Sequence, residues 1–240
     1  MIDDWRVLFD GAASARAQMA LDERLADEAV PTVRFFTWSP PAVSVGWKQA
    51  LPEWFEPSAW HEAGLEWVER PTGGGIALHG SDLSVSVTVP RRLRLPLEGI
   101  MRTICESAAS VCGELNVEAT TVLDSAGEGR IQYCLAETSP YAVMIGPRKV
   151  AGFALRRYPE AWLIQGSLLV HPIPMPLVER LPVEVVARLA ARACALSEAA
   201  TRLFSALDLA NRWAKQLIAQ ISKTDFADDV RQKALHAVSA

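Results

Sequence analysis

The sequence predicts an α/β domain: a central β-sheet flanked by helices, with a helical C-terminal tail. Three observations carry that prediction. Short β-rich runs dominate residues 32–171, and helix-patterned stretches precede and interrupt them. Residues from about 183 to 221 then contain no Gly or Pro and are rich in Ala, Leu, Arg and Glu.

Each element has its own warrant. Ser14 caps "ARAQMALDERLADEA", a helix over about 15–29 that faces the core through Met19, Leu21 and Leu25. "TVRFFTW" (32–38) and "AVSVGWK" (42–48) read as neighbouring strands around "SPP". "PSAWHEAG" (57–64) reads as a short helix ended by Gly64, and "LEWVERP" extends from it into a triple glycine. "LSVSVTV" (83–89) alternates like a half-buried strand, so the glycine loop joins two strands. "LEGIMRTICESAASVCGEL" (97–115) is amphipathic through Ile100, Ile104, Ala108 and Val111 and covers the sheet. "TVLDSAGEGRIQYC" reads as a long loop ending at Cys134, and long loops in compact domains are often functional. "YAVMIGPRKVAGFAL" gives two strands around a Gly-Pro turn, and "AWLIQGSLLV" another buried strand. Trp38, Trp47, Trp60, Trp67 and Trp162 are expected in the core.

Composition narrows the function classes. With 50% hydrophobic and 22% charged residues the chain is an ordinary globular protein, and a net charge of −4 gives no field for nucleic acid. Basic residues cluster only locally, at Arg91, Arg92, Arg94 and at Arg148, Lys149, Arg156, Arg157, where an acidic protein partner would dock. The acidic "MIDDWRVLFDG" lacks the apolar region of a secretory leader, and no apolar run reaches the ~18 residues of a membrane span, so a cytoplasmic protein without membrane contact is expected. Cys105, Cys112, Cys134 and Cys194 form no CxxC pair and no metal-ligand spacing with the histidines, which predicts neither a metal site nor a disulfide framework.

Four places carry candidate chemistry. "ERPTGGGIALHG" sets Arg70, Thr72, Gly73, Gly74, Gly75 and His79 in one loop that is neither a P-loop nor a GxGxxG turn. Taken alone it is equally a ligand loop or a tight turn. Cys134 follows the long loop, where a thiol is either a nucleophile or a small buried hydrophobe. Lys149 opens an apolar strand, either as an ammonium serving a carbonyl or phosphate oxygen or as an edge lysine reaching to solvent. In "IQGSLLV" the glycine of Gln165, Gly166 and Ser167 fits a bulge or a close ligand approach.

Together these motifs resemble a family. "WRVLFDG…MALDE", "VRFFTWSPPAVSVGWKQ", "FEPSAWHEAGLEWVERPTGGGIALHGSDLSVSV", "YCLAETSPYAVMIGPRKVAGFALRR" and "LIQGSLLV" occur in the order found in the biotin/lipoyl protein ligase superfamily, over roughly residues 5 to 170. Within it the chain most resembles the cysteine-dependent octanoyltransferases of lipoate assembly, and next lipoate-protein ligase A. The resemblance implies a central mixed sheet and an acyl tunnel between the RPTGGG loop and the strand bearing Lys149. It also implies a catalytic domain over 1–175, with 176–240 as a helical extension packed on the same domain. In the octanoyltransferases the nucleophile sits in "C-F-x-x-P-S-x-Y-E"; here the setting is "C-L-A-E-T-S-P-Y-A", in which Cys134 and Tyr141 match and the Phe is Leu135. The implied activity moves an octanoyl group from acyl carrier protein to a lysine of a lipoyl domain through a Cys134 thioester. It needs no cofactor and is expected of a monomer. Lys149 would stabilise the oxyanion and the thiolate, Arg70, Thr72, Gly73, Gly74, Gly75 and His79 would line the acyl site from the loop, and Gly152, Ala154 and Gly166 from the strands.

Departures keep two other readings open. The family's "H-D" is His79-Gly80 here, with Asp82 two residues on; its "K-x-x-G-S-A-Q" is Lys149-Val150-Ala151-Gly152-Phe153-Ala154-Leu155; and its later "H-G" is Gln165-Gly166. Phe153 would shorten or refill the acyl pocket, and the lost Ser, Gln and His remove hydrogen-bond partners. Lys149 and the triple glycine favour an ATP- and Mg²⁺-dependent lipoate-protein ligase as the second reading, and the changes at Phe153, Leu155 and Gln165 suggest a non-catalytic acyl-protein-binding relative as the third.

Overall fold

The computed structural model describes residues 5–124, 132–202 and 205–223. Strand β1 (Arg6–Ala13) leads into helix α1 (Ala15–Glu28), whose cap is the expected Ser14: its Oγ accepts from the Ala17 N–H at 3.3 Å. The buried face of α1 is Ala15, Gln18, Met19, Asp22, Leu25 and Ala26, with Leu21 only half-buried. Apolar periodicity alone misplaces this face, because two of its inward positions are polar and satisfied by a buried arginine.

Strands β2 (Thr32–Trp38) and β3 (Ala42–Val45) are not neighbours as expected but belong to different sheets. The segment between them, with its cis Ser39–Pro40 bond, carries two prolines that cannot donate to a ladder, and the chain crosses from one sheet to the other there. Helix α2 (Pro57–Glu62), β4 (Glu66–Glu69) and β5 (Ala77–His79) follow, and the glycine loop joins β4 to β5. Strand β6 (Asp82–Pro90) is buried along its whole length rather than on one face. Val85, Val87 and Val89 enter the main core, while Ser84 and Ser86 face α1 and bond Asp82 and Asp22. Its alternation therefore separates an apolar from a polar interior.

Helix α3 (Leu97–Glu114) covers the sheet as its periodicity predicts. The expected long loop begins with a short strand, β7 (Thr120–Val122), and residues 125–131 lie outside the described residues. Strands β8 (Ala142–Ile145), β9 (Arg148–Arg157) and β10 (Ala161–Leu169) then form, and helices α4 (Met175–Val178), α5 (Val183–Arg192), α6 (Leu196–Ala199) and α7 (Ala206–Lys223) complete the chain.

The main sheet is seven-stranded, ordered β1-β2-β6-β10-β9-β8-β7, and the second is three-stranded, β4-β3-β5. β1 runs parallel to β2 and β3 to β4, whereas the other pairings are antiparallel, so both sheets are mixed. Helices α3 and α7 pack on one face of the main sheet, and α1 touches strands of both sheets. Trp38 and Trp60 are core residues, but Trp47 and Trp67 remain 43% and 39% exposed. Trp47 is instead held by the Arg156 guanidinium, 4.1 Å from its ring centroid, and by Lys48 Nζ at 4.4 Å.

Trp213 ties α7 to the core. It is fully buried, its Nε1 donates to Ser107 Oγ of α3 at 2.9 Å, and its ring meets Phe35 and Phe153 at centroid distances of 5.4 and 6.2 Å. Trp213→Ala is expected to destabilise the whole domain by about 3–5 kcal/mol, read as a single shifted urea transition. A separate early transition for the helical region would show that α7 is dispensable to the core.

Candidate active site

Three segments converge between the sheets: the glycine loop (70–75), the turn 132–139, and the paired strands β9 and β10. The turn is sewn to the loop by backbone, with the Cys134 N–H donating to Ile76 O at 2.8 Å and the Ile76 N–H to Gln132 O at 2.7 Å. A Cβ at Gly75 would lie 2.7 Å from the Gln132 carbonyl, so only glycine permits that approach. At Gly152 on β9 a Cβ would lie 3.3 Å from Cys134 Sγ and 2.9 Å from Lys149 Cε. The bare strand there makes room for thiol and lysine together.

Lys149 is 3% exposed, and among the described residues no carboxylate pairs with it. Its Nζ donates to Cys134 O at 2.7 Å, Glu137 O at 3.3 Å and Ser139 Oγ at 2.6 Å. An ammonium has three N–H donors, so the turn occupies all of them. The Glu137 carboxylate accepts from the Gln132 and Tyr133 N–H groups at 2.8 and 3.2 Å and from Arg188 of α5 at 3.0 Å. The turn is thus fixed from both of its ends.

Arg70 organises the glycine loop. Its guanidinium donates to Gly73 O and Gly75 O, both at 2.7 Å, and to the Ser44 carbonyl and hydroxyl, both at 3.1 Å. Burial lowers the Arg70 pKa, while a charged Cys134 acts in the opposite direction, so Arg70 and a Cys134 thiolate attract. Ser44 Oγ also meets His79 Nε2 at 2.8 Å, and His79 Nδ1 meets Asp82 Oδ2 at 2.9 Å. Burial would raise the Asp82 carboxyl, but His79, Ser167 and the Gly80 N–H together hold it below the usual carboxylate range. Both ring nitrogens of His79 are thus engaged, and Asp82 reaches it despite the inserted Gly80.

A second chain of polar groups starts at Arg34, whose Nη1 bonds Asp22 at 2.7 Å. Asp22 accepts from Gln165 Nε2 at 2.6 Å, and Gln165 Oε1 accepts from Thr72 Oγ1 at 2.7 Å. Gln165 therefore has its partners and anchors the loop. Burial pushes the Asp22 carboxyl up, against the opposing pull of Arg34.

A cavity of about 90 Å³ opens among these groups, bordered by Cys134 and Ser139 from the turn, Gly74 and His79 from the second sheet, and Ala154 and Ser167 from the main one. Arg70, Gly75, Gly152 and Gly166 border it too, whereas Thr72, Gly73 and Lys149 stand behind its wall. Phe153 and Gln165 border the cavity as well. The Phe153 ring covers Gly166 and also meets Trp213 in the main core. Leu155 packs on the same apolar core. A larger cavity of about 370 Å³, bordered by Leu169, Met175, Leu181 and Leu189, contains no thiol.

Cys134 is the part-exposed thiol; Cys105, Cys112 and Cys194 are buried. Burial pushes Cys105 and Cys112 up to about 12 and raises Cys194 as well, so these three are packing residues. Among the described residues no group of three or more His, Cys, Asp or Glu side chains is placed to hold a metal ion. Sequence reasoning missed Ser44, Glu137, Ser139 and the Asp22–Arg34 pair. Two of these gave a signal: Arg34, as a charge inside the apolar run "TVRFFTW" that needs a buried partner, and Ser139, as the serine of the motif around Cys134.

The α/β domain thus holds a part-exposed thiol beside a buried ammonium, in a cavity walled by bare backbone between two sheets. Residues 14–218 match the lipoyl protein ligase A/B catalytic domain, and the chain belongs to that family. The octanoyltransferase LipM of Symbiobacterium thermophilum is 34% identical over 227 residues, which cover 84% of this chain and 81% of that protein. The octanoyltransferase LipM of Bacillus subtilis is 31% identical over 183 residues, 70% of this chain and 66% of that one. Among solved structures, a lipoate-protein ligase A bound with ATP superposes with a TM-score of 0.74 at 19% identity, covering 96% of this chain and 93% of that one. The expected ligase-type fold is therefore the observed one.

The depressed Asp82 pKa has a signed consequence. Its stabilising contribution is complete above the ordinary carboxylate pKa of ~4 and is lost as pH falls through the lower value of the folded state. Asp82→Asn is expected to be less stable than wild type at pH 7, with the difference shrinking as pH falls below ~4 in urea titrations. A pH-independent difference would place the role of Asp82 elsewhere.

Proposed function

We propose that this chain is an octanoyltransferase of lipoate assembly, an acyltransferase that carries its acyl group on Cys134. The observation that carries the reading is the placement of Cys134, the accessible thiol, over Gly152 and against Lys149. The similarity to LipM octanoyltransferases supports the same chemistry.

In the first step the Cys134 thiolate attacks the thioester carbonyl of octanoyl-acyl carrier protein. The new C–S bond forms as the carrier's sulfur leaves, and the carrier thiolate takes a proton. In the second step the ε-amine of a lipoyl-domain lysine attacks the Cys134 thioester. An amide forms, the amine gives up a proton, and Cys134 departs as thiolate. Each step exchanges one acyl bond for another of equal or greater stability, so the donor thioester drives the transfer without ATP. Arg70 and Lys149 supply positive charge beside the thiolate. Lys149, with its N–H groups spent on the turn, acts by holding Cys134 and by its field.

Of the altered residues that favoured a non-catalytic relative, Phe153 and Gln165 border the cavity, and the Cys134 thiol remains part-exposed within it. Among the described residues no helix is long and apolar enough to cross a membrane, and the proposal places the enzyme in the cytoplasm, a monomer whose partners are the carrier protein and the lipoyl domain.

Intact-protein mass spectrometry after mixing with octanoyl-acyl carrier protein, without ATP, tests the reading. An octanoyl adduct is expected on wild type and on Cys105→Ser, none on Cys134→Ala, and loading about a hundredfold slower for Lys149→Met. Adduct formation that survives loss of Cys134 would refute the assignment. Acylation of a lipoyl domain only from free octanoate with ATP would favour the ligase reading.

A further inference from the structure

We propose that Ser139 is the catalytic hydrogen-bond donor to the oxyanion that forms when the Cys134 thiolate adds to the acyl carbonyl; this inference rests on the octanoyltransferase reading. Lys149 is the obvious candidate for that role by charge, but its three N–H groups already point to Cys134 O, Glu137 O and Ser139 Oγ. Spending one of them on substrate would release the turn that holds the nucleophile.

Ser139 is placed to act instead. It borders the cavity together with Cys134, five residues along the same turn. Its Oγ accepts from Lys149 Nζ at 2.6 Å, and among the described hydrogen bonds it donates none, so its hydroxyl hydrogen is available to the cavity. Of the other polar side chains there, Arg70 has both terminal nitrogens on Ser44, Gly73 and Gly75, and Ser44 Oγ is engaged by Arg70 and His79. His79 has both nitrogens engaged, Gln165 Nε2 donates to Asp22, and Ser167 Oγ donates to Asp82. A hydroxyl that accepts from a buried ammonium is polarised, and it donates more strongly to a negative oxygen. As Sγ adds to the carbonyl carbon, the C=O electron pair moves to oxygen and is met by the Ser139 O–H. When the pair returns, the carrier thiolate leaves, and Ser139 neither gains nor loses a proton. The charge of Lys149 reaches the reacting oxygen through this one hydroxyl.

Two reactions of the same thiol separate this role from a structural one. Acylation by octanoyl-acyl carrier protein develops an oxyanion, whereas alkylation of Cys134 by iodoacetamide develops none at the attacked carbon. Ser139→Ala is expected to slow acylation about a hundredfold, the usual cost of one oxyanion donor. Its KM for the donor and its alkylation rate stay at the wild-type values. Ser139→Thr, which keeps the hydroxyl, retains most of the acylation rate. Acylation of Ser139→Ala at the wild-type rate would overturn the proposal. So would a parallel loss of acylation and alkylation, which would mean that Ser139 acts on the thiol through Lys149. Wild-type enzyme that never acylates at Cys134 would instead remove the octanoyltransferase reading, and this inference with it.

Discussion

A buried ammonium with no carboxylate partner among the described residues is the constraint on which the site depends. Taking a charge out of water costs several kcal/mol unless its donors are met, and Lys149 meets them with two backbone carbonyls and one hydroxyl, all from residues 134–139. That solution fixes a turn that has no regular secondary structure of its own. Because the acceptors include the carbonyl of Cys134, satisfying the lysine and positioning the thiol are one event. The charge also remains uncompensated by any carboxylate, so its field is available to a thiolate and to a reacting carbonyl.

The glycine loop is held by an equivalent logic, through two buried polar chains that run from opposite sides. His79 and Ser44 of the second sheet, backed by Asp82 at the start of β6, reach it through Arg70, and Arg34, Asp22, Gln165 and Thr72 reach it from the main sheet and α1. Each chain begins or ends in a charge that would be costly to leave unpaired, and Arg70 holds the carbonyls of Gly73 and Gly75. Bare backbone then forms a wall of the cavity. The helical region after residue 175 takes part in the same scheme: Arg188 of α5 bonds Glu137 in the nucleophile turn, and the Cys194 N–H donates to Lys149 O at 3.0 Å.

Much of this was legible in the sequence, for physical reasons that differ by residue. Helix α3 follows from periodicity because its apolar face lies on a single core, and strands β8, β9 and β10 follow from short apolar runs bounded by turn residues. Cys134, Lys149 and the triple glycine were visible as residues out of place, respectively a thiol after a polar loop, a charge in an apolar strand, and bare backbone between strands. The pairing of β2 with β3 failed because proximity in sequence does not reveal which sheet a strand joins. Phe153 borders the cavity as its place in the motif suggests, but its second contact, with Trp213 in the main core, is not visible from the motif. Ser139 matches the serine of the motif around Cys134, whereas Ser44 and Glu137 gave no signal, since a small hydroxyl or a carboxylate near a turn has the same appearance in solvent as in a network.

The account makes Cys134 a carrier of the acyl group rather than a binding residue, and a chase on isolated octanoyl-enzyme tests that claim most directly. The acylated protein, freed of carrier protein and given neither ATP nor free octanoate, is mixed with an unmodified lipoyl domain and both masses are followed in time. The account predicts that the octanoyl mass leaves the enzyme as it appears on the lipoyl-domain lysine, in equal amounts. An octanoyl-Cys134 that persists, or that is released only as free octanoate, would contradict it.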